Sequence, residues 1–261
     1  MKPSLAFFSF AELTDSTKHH AFNEYHQLDH RPENLALPGV IFGDRWVRSP
    51  DCAGVIPSPP TAFSGVQYMT MYWLREPVET TRLEWMDFGT QATHLGRRPD
   101  LAWATRPLVG AFIPVKGYVN SRVLISAEAL PFRPNRGIFA TVTQLSEDLA
   151  AVERLAAWHD RIHIPDMLDC RGVAGAWTFV SESAYPGRHG GLTATSPPAL
   201  RIHVYFLDED PLIFAEDLLE RERQREADGR IPNQVDAETP IFTSLLRTIV
   251  PWEWDWFDKQ A

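Results

Sequence analysis

The sequence predicts an α+β fold: two tandem β-α-β-β-α-β units packed sheet to sheet as an α/β barrel within one chain. Three observations lead there. A motif of histidines and proline occurs twice, at a constant offset of 133 residues. The same order of strand-like and helix-like segments accompanies each copy. A four-stranded sheet with helices on one face leaves its other face bare, and two such units cover each other.

The first copy is Tyr25-His26-Gln27-Leu28-Asp29-His30-Arg31-Pro32, running on to Pro38-Gly39-Val40. The second is Trp158-His159-Asp160-Arg161-Ile162-His163-Ile164-Pro165, running on to Arg171-Gly172-Val173. Both read aromatic-His-x-x-x-His-x-Pro-x6-Gly-Val. A repeat of this length marks a duplicated structural unit. It divides the 261 residues into units at 1–130 and 137–261, joined by a linker at 131–136.

Each element follows from local pattern. In the first unit, residues 5–10 form a short apolar run and read as a strand. Across 18–35, Phe22, Tyr25 and Leu28 fall at helical spacing, and Pro32 predicts a kink. Residues 40–47 are the second strand, and 48–64 a loop rich in proline. Residues 66–74 are the third strand, with Val66, Tyr68, Thr70 and Tyr72 on one face. A second helix runs over 77–88. An extra segment at 90–130 holds the fourth strand at 108–120, with a further strand expected at 122–125. In the second unit, 138–143 is a strand and 146–169 a helix capped by Ser146. Residues 172–180 are a strand and 181–199 a long loop containing His189. In the strand at 200–207, Ile202, Val204 and Phe206 alternate with His203 and Tyr205. A helix over 211–227 follows, then a loop at 230–240. The chain is expected to close on a strand at 248–257, with Trp252, Trp254 and Trp256 on one face.

Composition narrows the function. A hydrophobic content of 44% builds a full core. A net charge of −9, with Arg97-Arg98 only a pair, argues against nucleic acid as a partner. Cys52 and Cys170 make no disulfide framework. The first residues lack the apolar run of a signal peptide, and no stretch reaches the length of a membrane span. The expectation is a cytoplasmic protein, without a membrane partner, that works on a small-molecule substrate, with a homodimer as a possible assembly. Gly-x-Gly-x-x-Gly, phosphate-loop, serine-elbow and Cys-x-x-Cys signatures are absent.

The β-α-β-β-α-β unit is the ferredoxin-like one. A first helix carrying His-x-x-x-His-x-Pro, followed by Pro-Gly-Val into the second strand, resembles the dimeric α/β-barrel superfamily and, within it, the EthD-like proteins. The chain looks like a tandem fusion of two such units. The resemblance implies a cofactor-independent enzyme on a small apolar or aromatic substrate, of lyase, decarboxylase, cyclase or isomerase type. Haem- or oxygen-dependent monooxygenases on the same fold, and non-catalytic binding proteins, are the alternatives.

The candidate catalytic residues are His30, His163, His26 and His159. Each pair lies at i,i+4 and shares a helix face, and imidazole exchanges protons near neutrality. The competing reading is structural: the histidines satisfy backbone groups where Pro32 and Pro165 remove a donor. A zinc site would need a third ligand, and no metal or other cofactor is called for. The candidate substrate-binding residues are Arg45, Trp46, Tyr68, Tyr72, Trp177 and His203. Asp44 and Arg45 stand on a strand whose twin is apolar, which points to the first half as the polar one.

Overall fold

The computed structural model describes residues 3–182, 199–229 and 237–257. His189 and most of the long loop in the second unit lie outside them.

Both halves follow the order β-α-β-β-α-β. The first has β1 (Leu5–Leu13), α1 (His19–Glu24), a π turn (Tyr25–His30), α2 (Arg31–Leu35), β2 (Val40–Val47), β3 (Tyr68–Leu74), α3 (Val78–His94) and β4 (Ala104–Val119). The second has β5 (Gly137–Leu145), α4 (Leu149–Trp158), a π turn (His159–His163), α5 (Ile164–Leu168), β6 (Val173–Ser181), β7 (Leu200–Leu207), α6 (Pro211–Ala227) and β8 (Glu238–Thr248). The strands close into one barrel in the order β1-β3-β2-β8-β5-β7-β6-β4. Each half contributes four adjacent antiparallel strands. One seam pairs β4 with β6, from Phe112 opposite Ser181 to Val119 opposite Gly175. The other pairs β2 with β8 at Trp46–Thr248 and Val47–Arg247.

The side-chain period of two sends alternate residues inward. Ile202, Val204 and Phe206 of β7 enter the barrel, while Tyr205 packs under the helices. The interior is filled by rings. Phe8 meets Phe112 and Phe179 at 5.2 and 5.0 Å, and Trp73 meets Trp177 at 5.1 Å. The barrel is a packed core, and polar groups collect instead between each half's helices and the sheet.

Several elements differ from expectation. The closing strand is β8, which starts at Glu238 and ends at Thr248. Pro240 sits in it opposite Thr143, where a bulge tolerates the missing N–H. Beyond it, Pro251 cannot continue a ladder, and Trp252 has a φ of 74° and is 74% exposed. The alternating tryptophans therefore imitate a strand without forming one. Residues 122–125 turn, and a 3-10 segment, Ala127–Phe132, replaces the extra strand. The second helix continues through Gly89 to His94. The helix in the second half is capped by Asp148, whose carboxylate accepts the Ala151 N–H at 3.1 Å, and not by Ser146.

Candidate functional site

The repeated motif forms a π turn in both halves. Pro32 and Pro165 have no N–H, so the carbonyl one turn earlier loses its helical donor. The backbone widens instead: the Arg31 N–H reaches the His26 carbonyl, and the Ile164 N–H reaches the His159 carbonyl. Single π turns inside helices recur at functional sites. Here they bring the two histidine rings of each pair edge to face, at 5.5 Å in the first half and 5.1 Å in the second.

In the first half, the helix side supplies His19, Asn23, His26, Gln27, His30 and Asn34, and the sheet supplies Arg45, Tyr68 and Tyr72. His26 Nδ1–H donates to the Phe22 carbonyl at 2.8 Å, which leaves Nε2 as a lone pair without a partner among the described residues. Asn34 donates to His30 Nε2 at 3.1 Å and to the Tyr72 hydroxyl at 3.3 Å. Asn23 donates to the Tyr68 hydroxyl at 3.0 Å, which also lies 2.8 Å from His19 Nδ1. Arg45 is 1% exposed. Its Nη2 donates to Asn23 at 3.2 Å and its Nη1 to Gln27 at 3.5 Å, and Nε finds no partner. Its guanidinium lies 5.1 Å from the Phe22 ring centroid and 5.7 Å from that of Tyr68. No carboxylate forms an ion pair with it among the described residues. Burial pushes its pKa down to about 10, against weaker support from Tyr68, Tyr72 and Asp44. Burial, reinforced by Arg45, holds His26 neutral, and burial together with Arg98 and Arg45 pushes His30 down to about 4.

The second half has diverged at the same positions. At the repeat offset, Thr178 stands for Arg45, Arg201 for Tyr68 and Tyr205 for Tyr72. A carboxylate balances the charge. Glu238 accepts from His159 Nε2–H at 3.0 Å, from Thr143 at 2.7 Å and from Arg201 at 3.4 Å. Burial works against the Glu238 carboxylate, but the His159 bond and its other donors keep its pKa below the usual range. Thr178 bonds His203 Nδ1 at 3.1 Å, and His203 lies 4.7 Å from His159. His159 Nδ1, His203 Nε2 and the Tyr205 hydroxyl are buried without a partner among the described residues. A buried water is the ordinary partner for such atoms. Burial pushes His163 down to about 3 and holds His203 well below its usual value.

Of the predicted site residues, the structure gathers His26, His30, Arg45, Tyr68 and Tyr72 in one layer, and His159, His163 and His203 in another. Trp46 and Trp177 are corrections. Both point into the barrel interior, bonding Asn135 and the Ala127 carbonyl, on the opposite face of the sheet from the histidines. The amides Asn23, Gln27 and Asn34 were invisible as site residues because amides on a helix read as a solvated face. Extending the repeat offset along the third strands would have marked Arg201 and Tyr205. A separate cleft of about 440 Å³ lies at Val40, Ile41, Arg75 and Phe132 and holds none of these histidines. Among the described residues, no group of three or more His, Cys, Asp or Glu converges to hold a metal ion.

No protein-family profile matches the chain, and no curated protein is similar to it in sequence. Solved structures are. A candidate chlorite dismutase, TA0507, is 13% identical, with each chain covered over 100% and a TM-score of 0.53. An anthrone oxidase-like protein is 12% identical, with 95% of this chain and 92% of that one covered and a TM-score of 0.51. The chain has the dimeric α/β-barrel fold. A haem complex of a Rhodococcus jostii RHA1 DypB variant is also similar, at 11% identity, 95% and 94% coverage and a TM-score of 0.48.

These relationships correct the expectation of a cofactor-independent lyase, decarboxylase, cyclase or isomerase run by acid/base histidines. The candidate chlorite dismutase and the anthrone oxidase-like protein, which share the fold, carry redox names. Proton transfer at neutral pH also needs a group that titrates there, whereas burial keeps three of the four candidate histidines, His26, His30 and His163, neutral.

The same geometry decides whether haem fits. A neutral imidazole whose other N–H is anchored, as in His26, has the right donor chemistry for iron. Room is lacking. Arg45 on the sheet bonds directly to Asn23 and Gln27 on the helix, and the rings of Phe22, Tyr25 and His30 stand 4.1, 4.9 and 5.5 Å from His26. In the second half, Glu238 and His203 touch His159 across the layer. A planar macrocycle does not fit between helix and sheet in either place.

Proposed function

We propose that this chain is an oxygen-dependent oxidoreductase, of the monooxygenase or oxidase kind, that takes a small organic molecule into the helix–sheet layer of its first half. The observation that carries the site is the pair formed by Arg45, a buried cation with a free Nε donor, and His26, a neutral imidazole with an open Nε2. Groups this buried are normally satisfied within the protein. In one layer, an open buried donor and an unbonded imidazole lone pair can anchor a ligand. The names of two structures that share the fold, a candidate chlorite dismutase and an anthrone oxidase-like protein, support redox chemistry. The His-x-x-x-His-x-Pro motif supports an EthD-like affiliation within the superfamily.

The roles follow from the donors and acceptors. Arg45 Nε donates to a substrate oxygen. His26 Nε2 accepts from a substrate hydroxyl, oriented by the bond from its other nitrogen to Phe22. Asn34 and Trp85 set His30 and Tyr72: Trp85 Nε1–H donates to Asn34 at 2.6 Å, and Asn34 donates to both. Phe22 and Tyr25 exclude water. A homodimer would use outer faces, since the barrel covers both sheets, and Leu83 and Met86 are exposed three residues apart on α3.

The test is turnover of small phenolic and enolic compounds by the purified protein, under air and under nitrogen. Oxygen uptake in step with product, lost under nitrogen, is the expected result. Product formed at the same rate under nitrogen overturns the reading.

A further inference from the structure

We propose that the ligand of the first half is a small organic anion, a carboxylate or phenolate, drawn in past Arg98 and Arg106 and paired with Arg45. This rests on the reading of the first-half layer as the site, and it adds the ligand's charge and its path.

Charge accounting carries the inference. Arg45 is buried against neutral amides and rings, with no counter-ion. The neighbouring acid, Asp44, is engaged elsewhere: it lies 3.5 Å from Arg31 Nε and accepts Arg45's own backbone N–H at 2.9 Å. A water fills a hydrogen-bond vacancy but supplies no opposite charge, so hydration does not resolve Arg45 as it serves the second-half atoms, whose arginine already has Glu238. Two more arginines stand on the outer side. Arg98 and Arg106 are exposed, neither forms an ion pair among the described residues, and the charges of both act on His30. Arg97, next to Arg98, is paired with Glu33 and is not part of this set. His30 and Tyr25 are part-exposed, and the charges of Arg98 and Arg106 act on both.

The second half is the internal control. Where the first half has Arg45, it has Thr178. Its Arg201 is matched by Glu238, and Arg225, whose charge acts on His163, lies 3.5 Å from Asp166. One copy of the repeat has balanced its buried charge and the other has not. In a chain of net charge −9 the unbalanced arginines are not the residue of a generally basic surface. They form a local field that steers an anion.

The test is calorimetric titration of the full chain with sodium benzoate, with neutral benzamide as the comparison, at about 50 and about 300 mM salt. The expected result is one benzoate per chain and benzamide about tenfold weaker or less. Arg45→Met should lose about 100-fold in benzoate affinity and Arg45→Lys less. The double variant Arg98→Glu, Arg106→Glu should lose most of the salt dependence. Thr178→Val, in the second half, should bind as wild type. Equal binding of benzoate and benzamide, wild-type affinity in Arg45→Met, or no benzoate binding to the wild type each overturns the proposal. Benzoate binding without oxygen uptake on any substrate sinks the oxygen-dependent reading alone. Oxygen uptake on neutral substrates that survives Arg45→Met sinks the anion alone.

Discussion

Replacing Arg45 with methionine is expected to leave the ligand-free protein as stable as the wild type, or more stable by up to about 2 kcal/mol. Burial lowers the guanidinium pKa to about 10, which corresponds to about 3 kcal/mol against the charged form. Its bonds to Asn23 and Gln27, at 3.2 and 3.5 Å, are long and go to neutral amides, and together are worth about 2 kcal/mol. Methionine keeps the length of the stem and packs on Phe22 and Tyr68. Removing the cation thus relieves about 3 kcal/mol and gives up about 1–2. A residue kept at a stability cost is the mark of a functional one. The assay is guanidinium chloride unfolding at pH 7.5, which must be two-state with an unchanged slope for the comparison to hold. A loss of more than about 2 kcal/mol would refute the reasoning and make Arg45 a structural strut.

Acid should destabilise the fold through its buried histidines. His30 and His163 are pushed down to about 4 and about 3, and His26 and His203 are held well below 6.5. Unfolding restores ordinary values, so the unfolded state binds the protons first. Stability is full above about pH 6.5 and falls as pH drops toward 4, by up to about 1.4 kcal/mol per pH unit for each histidine; an unfolding midpoint flat between pH 7 and 5 contradicts this. Gly43→Ala places a Cβ 2.3 Å from the Tyr72 ring and should cost about 1–3 kcal/mol, whereas Gly110→Ala, whose nearest neighbour is at 3.6 Å, should cost much less by thermal melting. Haem added to the protein should give no stoichiometric Soret shift; a sharp band abolished by His26→Ala would show that the layer opens to admit a macrocycle.

The strand and helix order of both halves was legible because the repeat doubles every signal. The alternation in β7 was readable for the same reason that it forms: one face meets the barrel, the other the helices. The closing strand was misplaced because Trp252, Trp254 and Trp256 keep the period of a strand, while the backbone at Pro251 and Trp252 denies it. Glu238 was missed with it, since the stretch around Pro240 reads as a loop until a bulge accommodates the proline. The asymmetry of Asp44 and Arg45 against an apolar twin did mark the polar half. What the one-dimensional pattern could not show is pairing. Arg97 and Arg98 are neighbours in sequence, yet only Arg97 finds an acid. Arg201 and Arg45 are both buried, yet only Arg201 does. A charge becomes informative when its counter-ion is missing, and that is a fact of three dimensions.

The most direct measurement is long-range ¹H–¹⁵N NMR of the histidine rings, before and after benzoate is added. The account predicts that His26 rests as the neutral Nδ1–H form and His159 carries its proton on Nε2, facing Glu238. On addition, the His26 ring nitrogens should shift and those of His159 and His203 should not. A response confined to His159 and His203, or none at His26, would contradict the assignment of the site to the first half.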